Sequence, residues 1–207
     1  MRLDKAVARC AHVVDRSLRK CFPEDFDARC MYAAFGMHRL AQTIGLRSIV
    51  VAGDFVALSV AMDNSRASFQ GYQRSEGDFA HYWGEIEDHI VDLGPSYLSI
   101  RSRYPAVRAP IVMWPMEVSL PPSLRYSPKI RYAPDVQFAL EPEMMRRMDR
   151  FLVTCEAKFA QISGQPRESN WLVSSQRSID VAAARGDLWA LGSKRISKEA
   201  GEATYMR

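Results

Sequence analysis

Residues 28–53, ARCMYAAFGMHRLAQTIGLRSIVVAG, change character at Gly45. Before it, CMYAAFGM is apolar on every side of a helical projection and contains the small residues Ala33, Ala34 and Gly36. A helix without a polar face is buried rather than laid on a surface, and small residues let a neighbouring sheet come close. The spacing predicts a central helix from about Ala28 to Ile44, with Asp25 or Asp27 as its N-cap and Gly45 as its stop. Beyond Gly45, RSIVVAGDFVALSV (47–60) is rich in Val and Ile and reads as β structure, with a bulge or turn at Gly53-Asp54. Cys30 falls in the first turn of the central helix.

Upstream, Ala6, Val7, Cys10, Val13, Val14 and Leu18 follow helical spacing over residues 4–20, with Cys10 on the apolar stripe. Downstream, residues 62–80 carry one short strand around Phe69 to Tyr72, and residues 106–120 add a strand that Pro110 and Pro115 confine to an edge. PPSLRYSPKIRYAP (121–134) reads as a proline-punctuated loop over the surface. From Glu143 to Ile162 a stripe of Met144, Met145, Met148, Phe151, Leu152, Cys155 and Phe159 marks an amphipathic helix whose methionines read as core. A short helix near Ile179 to Ala190 and a charged, frayed end close the chain.

Between these segments lies HYWGEIEDHIVDLGP (81–95), with two of the chain's four histidines. With Glu87-Asp88 as a two-residue turn, Ile86 faces His89, Trp83 faces Asp92 and His81 faces Gly94. Alternation then gives one face to Tyr82, Ile86, Val91 and Leu93, and the other to His81, Trp83, Glu85, Ile90 and Asp92. His81 and Asp92 become diagonal neighbours, about 7–8 Å apart at the backbone and within side-chain reach. A three-residue turn would put them on opposite faces, and Glu-Asp is not the Asn-Gly or Asp-Gly pair that two-residue turns favour. The clean apolar face selects the first register.

A carboxylate beside an imidazole fixes its tautomer and favours its charged form, which suits the histidine to act as a base or as partner of a thiolate. Cys30 is the best nucleophile to complete such a site. At a helix N-terminus, unpaired N–H groups and the helix dipole stabilise a thiolate, and the same N–H groups can serve an oxyanion.

The composition fits one α+β domain over residues 1–207, with a candidate catalytic core at 27–95 and a C-terminal helical part at 142–207. Hydrophobic residues make up 47% and charged residues 25%, the balance of an ordinary globular chain. The net charge of +4 is mild and the arginines are spread along the length, which argues against a nucleic-acid partner. No apolar run reaches the roughly 20 residues needed to cross a bilayer, and the charged start lacks a signal-peptide core, so a cytoplasmic location is expected. Cys10, Cys21, Cys30 and Cys155 have no CxxC spacing, so neither a zinc site nor a disulfide framework is expected.

The order of parts resembles the papain-like cysteine-proteinase superfamily, and within it the transglutaminase-like and arylamine N-acetyltransferase-like branches. The matching pieces are ARCMYAAFGMHRLAQTIGLRSIVVAG and HYWGEIEDHIVDLG, in which an H-x-W-x-E strand is followed by a V-D strand. The resemblance spans about Asp27 to Pro95. It implies a bacterial member with a cysteine-proteinase-like fold, whose central buried helix carries the cysteine against an antiparallel β-sheet. It further implies Cys30 as nucleophile, His81 as general base and acid, and Asp92 as its orienter. The implied reaction is hydrolysis or acyl transfer on an amide or ester through a thioester, without cofactor or metal, on a small-molecule, peptide or acyl substrate.

Trp83 and Glu85 share the face of His81 and are candidates to line a substrate cleft. His89 reads as a structural or rim histidine, and His38 marks where the helix re-emerges. Arg101, Arg103, Arg108, Arg125, Lys129 and Arg131 read as a solvated surface. Two other classes stay open: a catalytically silent version of the fold used as a ligand- or protein-binding module, and nucleic-acid binding through the basic connector.

Overall fold

The computed structural model describes residues 2–72, 80–133, 141–162 and 171–205. The protein is a mixed α+β structure in which helices cover a curled, mostly antiparallel sheet. Three helices come together on one side: α1 (Leu3–Cys21), α2 (Cys30–Thr43) and α3 (Pro142–Gln161). The long strand β1 (Ser48–Val60) follows α2 after Gly45, which has φ +78°. At that angle only glycine is unstrained, so the helix stops where the sequence predicts.

Among the small residues of α2, Gly36 does something other than expected. A Cβ on Gly36 would lie 3.0 Å from the Phe151 ring of α3 and 3.1 Å from Val14 of α1. Gly36 therefore admits neighbouring helices, not the sheet. Phe151 and Val14 are fully buried there, each worth about 1.5–3 kcal/mol of burial. The methionine stripe of α3 is only partly core: Met148 is buried, while Met144 and Met145 are exposed.

Strand β1 organises the sheet. Along one edge its first half pairs with β3 (His81–Ile86) and its second half with β2 (Ala67–Tyr72). Along its other edge it pairs with β6 (Leu124–Arg131), with a register shift between Ala52 and Gly53, the site of the expected bulge. The path continues from β3 through β4 (His89–Asp92) and β5 (Ile111–Pro115) to a short parallel β7 (Leu172–Val173).

Three expectations are corrected. The proline-rich connector is not a surface loop: β6 forms because Leu124 turns into the core while Arg125 and Ser127 face out. Pro128 is accommodated next to the register shift. Strand β5 is not an edge, because Pro110 stands just outside it and Pro115 is its last residue, leaving the hydrogen-bonding positions between them clear. The tail holds two helices, α4 (Gln176–Ala184) and α5 (Leu188–Tyr205), separated at Gly186 with φ +84°. Their residues Ile179, Trp189 and Ala190 pack with Phe55, Val112, Trp114 and Leu124 in a second core on the face opposite α1, α2 and α3.

The hairpin of β3 and β4 has the predicted register, with Gly84 opposite Val91, Glu85 opposite Ile90 and Ile86 opposite His89. Glu87 (φ 46°) and Asp88 (φ 60°) both take the left-handed conformation of a type I′ turn. Non-glycine residues resist it at about 1–2 kcal/mol each. Arg47 supplies the compensation: its backbone N–H donates to Glu87 Oε1 at 2.7 Å, and its guanidinium donates to Glu87 Oε2 at 3.0 Å and Asp88 Oδ2 at 3.1 Å. The Glu-Asp pair works here because a basic residue at the start of β1 clamps both side chains.

Candidate active site

Cys30 is the first residue of α2, and the approach to it differs from the capped helix that the sequence predicts. Neither Asp25 nor Asp27 caps the helix. Arg29 occupies the N-cap position without a side-chain cap, and no acidic residue lies in the first turn. Residues 26–28 form a short 3-10 turn instead. Asp25 accepts from Arg29 and the buried Asp27 accepts from Arg101, so both carboxylates are committed elsewhere. The consequence is chemical: the unpaired first-turn N–H groups and the positive end of the dipole lie at the residue that carries the thiol, with no first-turn acid to offset them.

Strands β3 and β4 bring His81 and Asp92 to Cys30. His81 is fully buried and Asp92 nearly so, whereas Cys30 is partly exposed. The imidazole Nε2–H donates to Asp92 Oδ2 at 2.8 Å. That leaves Nδ1 as the ring nitrogen for the Cys30 sulfur, and each side chain favours the charged form of the other. Asp92 is itself anchored, since Gly94 N–H donates to Oδ1 at 2.7 Å and the Tyr126 hydroxyl donates to Oδ2 at 2.8 Å. Gly94 must be glycine for another reason as well: a Cβ there would lie 2.5 Å from His81 Cε1 and 3.1 Å from Asp92 Oδ1.

The electrostatics favour a charged pair. Burial pushes the Cys30 thiol up, but the hydrogen bond and charge of His81, with the Tyr82 backbone, outweigh it and hold the thiol below its usual 9.0; Asp92 opposes weakly. Burial pushes the His81 imidazolium down, but the charge and hydrogen bond of Asp92, then those of Cys30, raise it from 6.5 to about 10. A thiolate facing an imidazolium is therefore the favoured state between those limits.

The residues around the three are aromatic. His81 packs at 4.7 Å against the Phe55 ring, and Tyr126 lies 5.3 Å from Phe55 and 5.2 Å from Trp83. Trp83 itself is buried over Gly53, whose absent Cβ would meet the indole at 2.8 Å. Glu85 is bound to Arg131 at 3.0 Å. Trp83 and Glu85 line a cavity of about 320 Å³ together with Ile90, Tyr126 and Arg131.

Most of the remaining candidates have structural partners. His38 Nδ1 bonds the Ser48 hydroxyl at 2.8 Å, tying the end of α2 to the start of β1, and His89 Nδ1 donates to the Glu87 carbonyl in the turn. Of the six basic residues, Arg101 pairs with Asp27, Arg108 with Asp15, Lys129 with Asp54 and Arg131 with Glu85, while Arg125 lies over the Phe69 ring. Among the described residues no three His, Cys, Asp or Glu side chains group as a metal site, and no helix is long and apolar enough to cross a membrane.

Two contributors escape sequence reasoning. Tyr126 lies in the segment read as a loop, where Leu124 and Tyr126 alternating with Arg125 and Ser127 was the available signal. Gly94 follows Asp92 by two residues, the spacing of an Asx-type turn.

No protein-family model matches the chain, and no curated protein matches it. Among solved structures the chain is similar to the crystal structure of the genomics protein APC5867, at 14% identity over 81% of this chain and 83% of that chain, with a TM-score of 0.48.

Proposed function

We propose that the protein is a thiol-dependent hydrolase or acyltransferase with a cysteine-proteinase-like fold, of the transglutaminase-like or arylamine N-acetyltransferase-like kind. One observation carries the reading: a partly exposed cysteine at an uncapped helix N-terminus has its thiol lowered by a buried histidine, one ring nitrogen of which is held by a buried aspartate.

In this reading the Cys30 thiolate attacks the carbonyl carbon of an amide or ester, and the displaced π electrons collect on the carbonyl oxygen. The backbone N–H groups of the first turn of α2 stand ready to donate to that oxyanion. As the tetrahedral intermediate collapses, the C–N or C–O bond breaks and the His81 imidazolium gives its Nδ1 proton to the departing amine or alcohol. A thioester remains on Cys30 and His81 is neutral. Water or an acceptor amine then attacks the thioester while His81 takes its proton. The C–S bond breaks, the acid or new amide leaves, and the thiolate–imidazolium pair is restored. Asp92 keeps its charge throughout and orients the ring.

The test is the reactivity of Cys30 toward a small neutral alkylating agent as a function of pH, with mass spectrometry assigning the modified residue. The wild type should react at Cys30 first, with an inflection well below the free-thiol value of about 8.5, and Cys30→Ser should abolish the fast phase. A folded protein in which Cys30 is no faster than a free thiol overturns the reading and leaves a silent, ligand-binding version of the fold.

A further inference from the structure

Asp92 is served by three donors, and one of them comes from outside the hairpin. His81 Nε2–H and the Tyr126 hydroxyl both donate to the same oxygen, Oδ2, each at 2.8 Å, while Gly94 N–H holds Oδ1 at 2.7 Å. Two donors on one carboxylate oxygen share its charge, so each weakens the other's hold. Tyr126 is placed by β6, directly opposite Phe55 of β1, and its ring is wedged between Phe55 and Trp83. Its hydroxyl therefore has a fixed address. The phenol also keeps its proton, because burial, and then the charge and hydrogen bond of Asp92, push it well above 10.0.

We propose that Tyr126 is a positioning residue of the Cys30–His81–Asp92 site, which fixes the Asp92 carboxylate from β6 and withholds part of its charge from His81. The catalytic meaning of this rests on the acyl-transfer reading above. The hold on Asp92 does not. His81 is faced by Cys30 from α2, Asp92 from β4 and Tyr126 from β6, with the Phe55 and Trp83 rings alongside. Tyr82, the next residue on β3, has its hydroxyl partnered with Tyr132. The nearby ions, Glu85 with Arg131 and Asp54 with Lys129, are paired among themselves. Tyr126 is thus the neutral group through which β6 acts on the imidazole.

Removing the hydroxyl leaves Oδ2 to His81 alone, a stronger acceptor that holds the imidazolium to higher pH. Strengthening the donor does the reverse. The experiment is imidazole ¹⁵N NMR of the full chain across pH, in a Cys30→Ser background so that the thiol does not titrate with the ring. Tyr126→Phe, which keeps the aromatic packing, should raise the His81 midpoint by roughly half a unit to one unit. Tyr126→3-fluorotyrosine, a stronger donor of nearly the same shape, should lower it, and this second variant decides the matter if the Phe variant does not fold. A midpoint unmoved in both, or moved in the opposite sense, overturns the proposal, because a residue that only packs would alter the melting temperature and leave the titration alone. If Cys30 proves unreactive in the wild type while the midpoint moves as expected, the acyl-transfer reading falls and the hold of Tyr126 on Asp92 stands.

Discussion

Cys10, Cys30 and Cys155 sit on α1, α2 and α3, three helices that pack against one another, yet their thiols are driven in opposite directions. Burial pushes Cys10 and Cys155 up to about 12 each, and the opposing pull of Arg9 on the first and of Ser17 on the second is too small to offset it. Burial acts on Cys30 as well, and its thiol still ends below 9.0. The difference lies in place along the helix. Cys10 and Cys155 are mid-helix residues whose surroundings are apolar side chains, and there a thiol is a small hydrophobe. Cys30 opens its helix, where backbone N–H groups point outward and a histidine from β3 reaches the sulfur. The direction in which a thiol is driven in this molecule follows from helix position and partner rather than from burial alone.

The largest way to break that contrast is to remove the partner. In His81→Ala the burial of Cys30 persists while the group that outweighs it is gone, so the thiol should rise toward the behaviour of Cys10 and Cys155. Alkylation of Cys30 at pH 7 should fall by on the order of 100-fold. The variant also leaves Asp92 buried without its ion-pair partner, a loss of about 3–5 kcal/mol by general precedent, so a urea titration must confirm that the protein is folded under the assay conditions.

A subtler change keeps every titrating group and disturbs only their spacing. Gly94→Ala places a methyl group 2.5 Å from His81 Cε1. Either the ring or the turn after Asp92 has to move, at about 1–3 kcal/mol of stability. Because the Nε2–Oδ2 bond and the sulfur contact cannot both survive that movement, the Cys30 rate at neutral pH should drop roughly tenfold. A variant that reacts like wild type would show that the ring has slack the structure does not suggest.

Stability against pH gives a signature that belongs to the pair. The folded His81 is raised from 6.5 to about 10, so its contribution is complete below 6.5 and is lost as pH rises toward 10. The folded Cys30 is lowered from 9.0, so its contribution is complete above 9.0 and is lost as pH falls through the depressed value. Above both 6.5 and the depressed Cys30 value, and up to 9.0, the folded state has gained one proton at His81 and lost one at Cys30 relative to the unfolded chain, and the two slopes cancel. Wild-type urea midpoints should therefore be flat across that window and decline above it, toward 10. Cys30→Ser removes one of the two opposing slopes, so its stability should fall steadily from pH 6.5 upward, by at most about 1.4 kcal/mol per pH unit. A flat profile in the serine variant would mean that His81 is not held charged in the absence of the thiol.

Much of this site was legible because it rests on local rules. Alternation along 81–92 and the two-residue turn place His81 beside Asp92 without any tertiary information, and the apolar run after Cys30 marks a buried helix. Most of what escaped depends on partners distant in sequence. Glu87-Asp88 looks like a poor turn until Arg47 is seen to hold both carboxylates. PPSLRYSPKIR looks like a loop because its outward residues are polar and Pro128 interrupts it, and only pairing with β1 makes it a strand. Asp25 and Asp27 look like helix caps until Arg29 and Arg101 claim them. In each case ionic or ladder contacts, most of them long-range, overrode a local preference of about 1 kcal/mol.

The smallest expected effect closes the comparison from the other side. Cys155 lies fully buried on α3 among Val14, Phe151 and their neighbours in the first core, and Cys10 is buried on α1 in the same cluster. If both are only small hydrophobes, Cys10→Ala and Cys155→Ala should each lower stability by about 1 kcal/mol, the scale of a single buried heavy atom. The Cys30 alkylation rate and its pH inflection should be unchanged in either. In the wild type both thiols should resist alkylation until urea opens the core, since at about 12 almost none of either is thiolate near neutral pH. If either alanine variant shifts the Cys30 inflection, the core transmits more to the site than burial and packing account for, and position along the helix would no longer suffice to explain why one cysteine of the three is set apart.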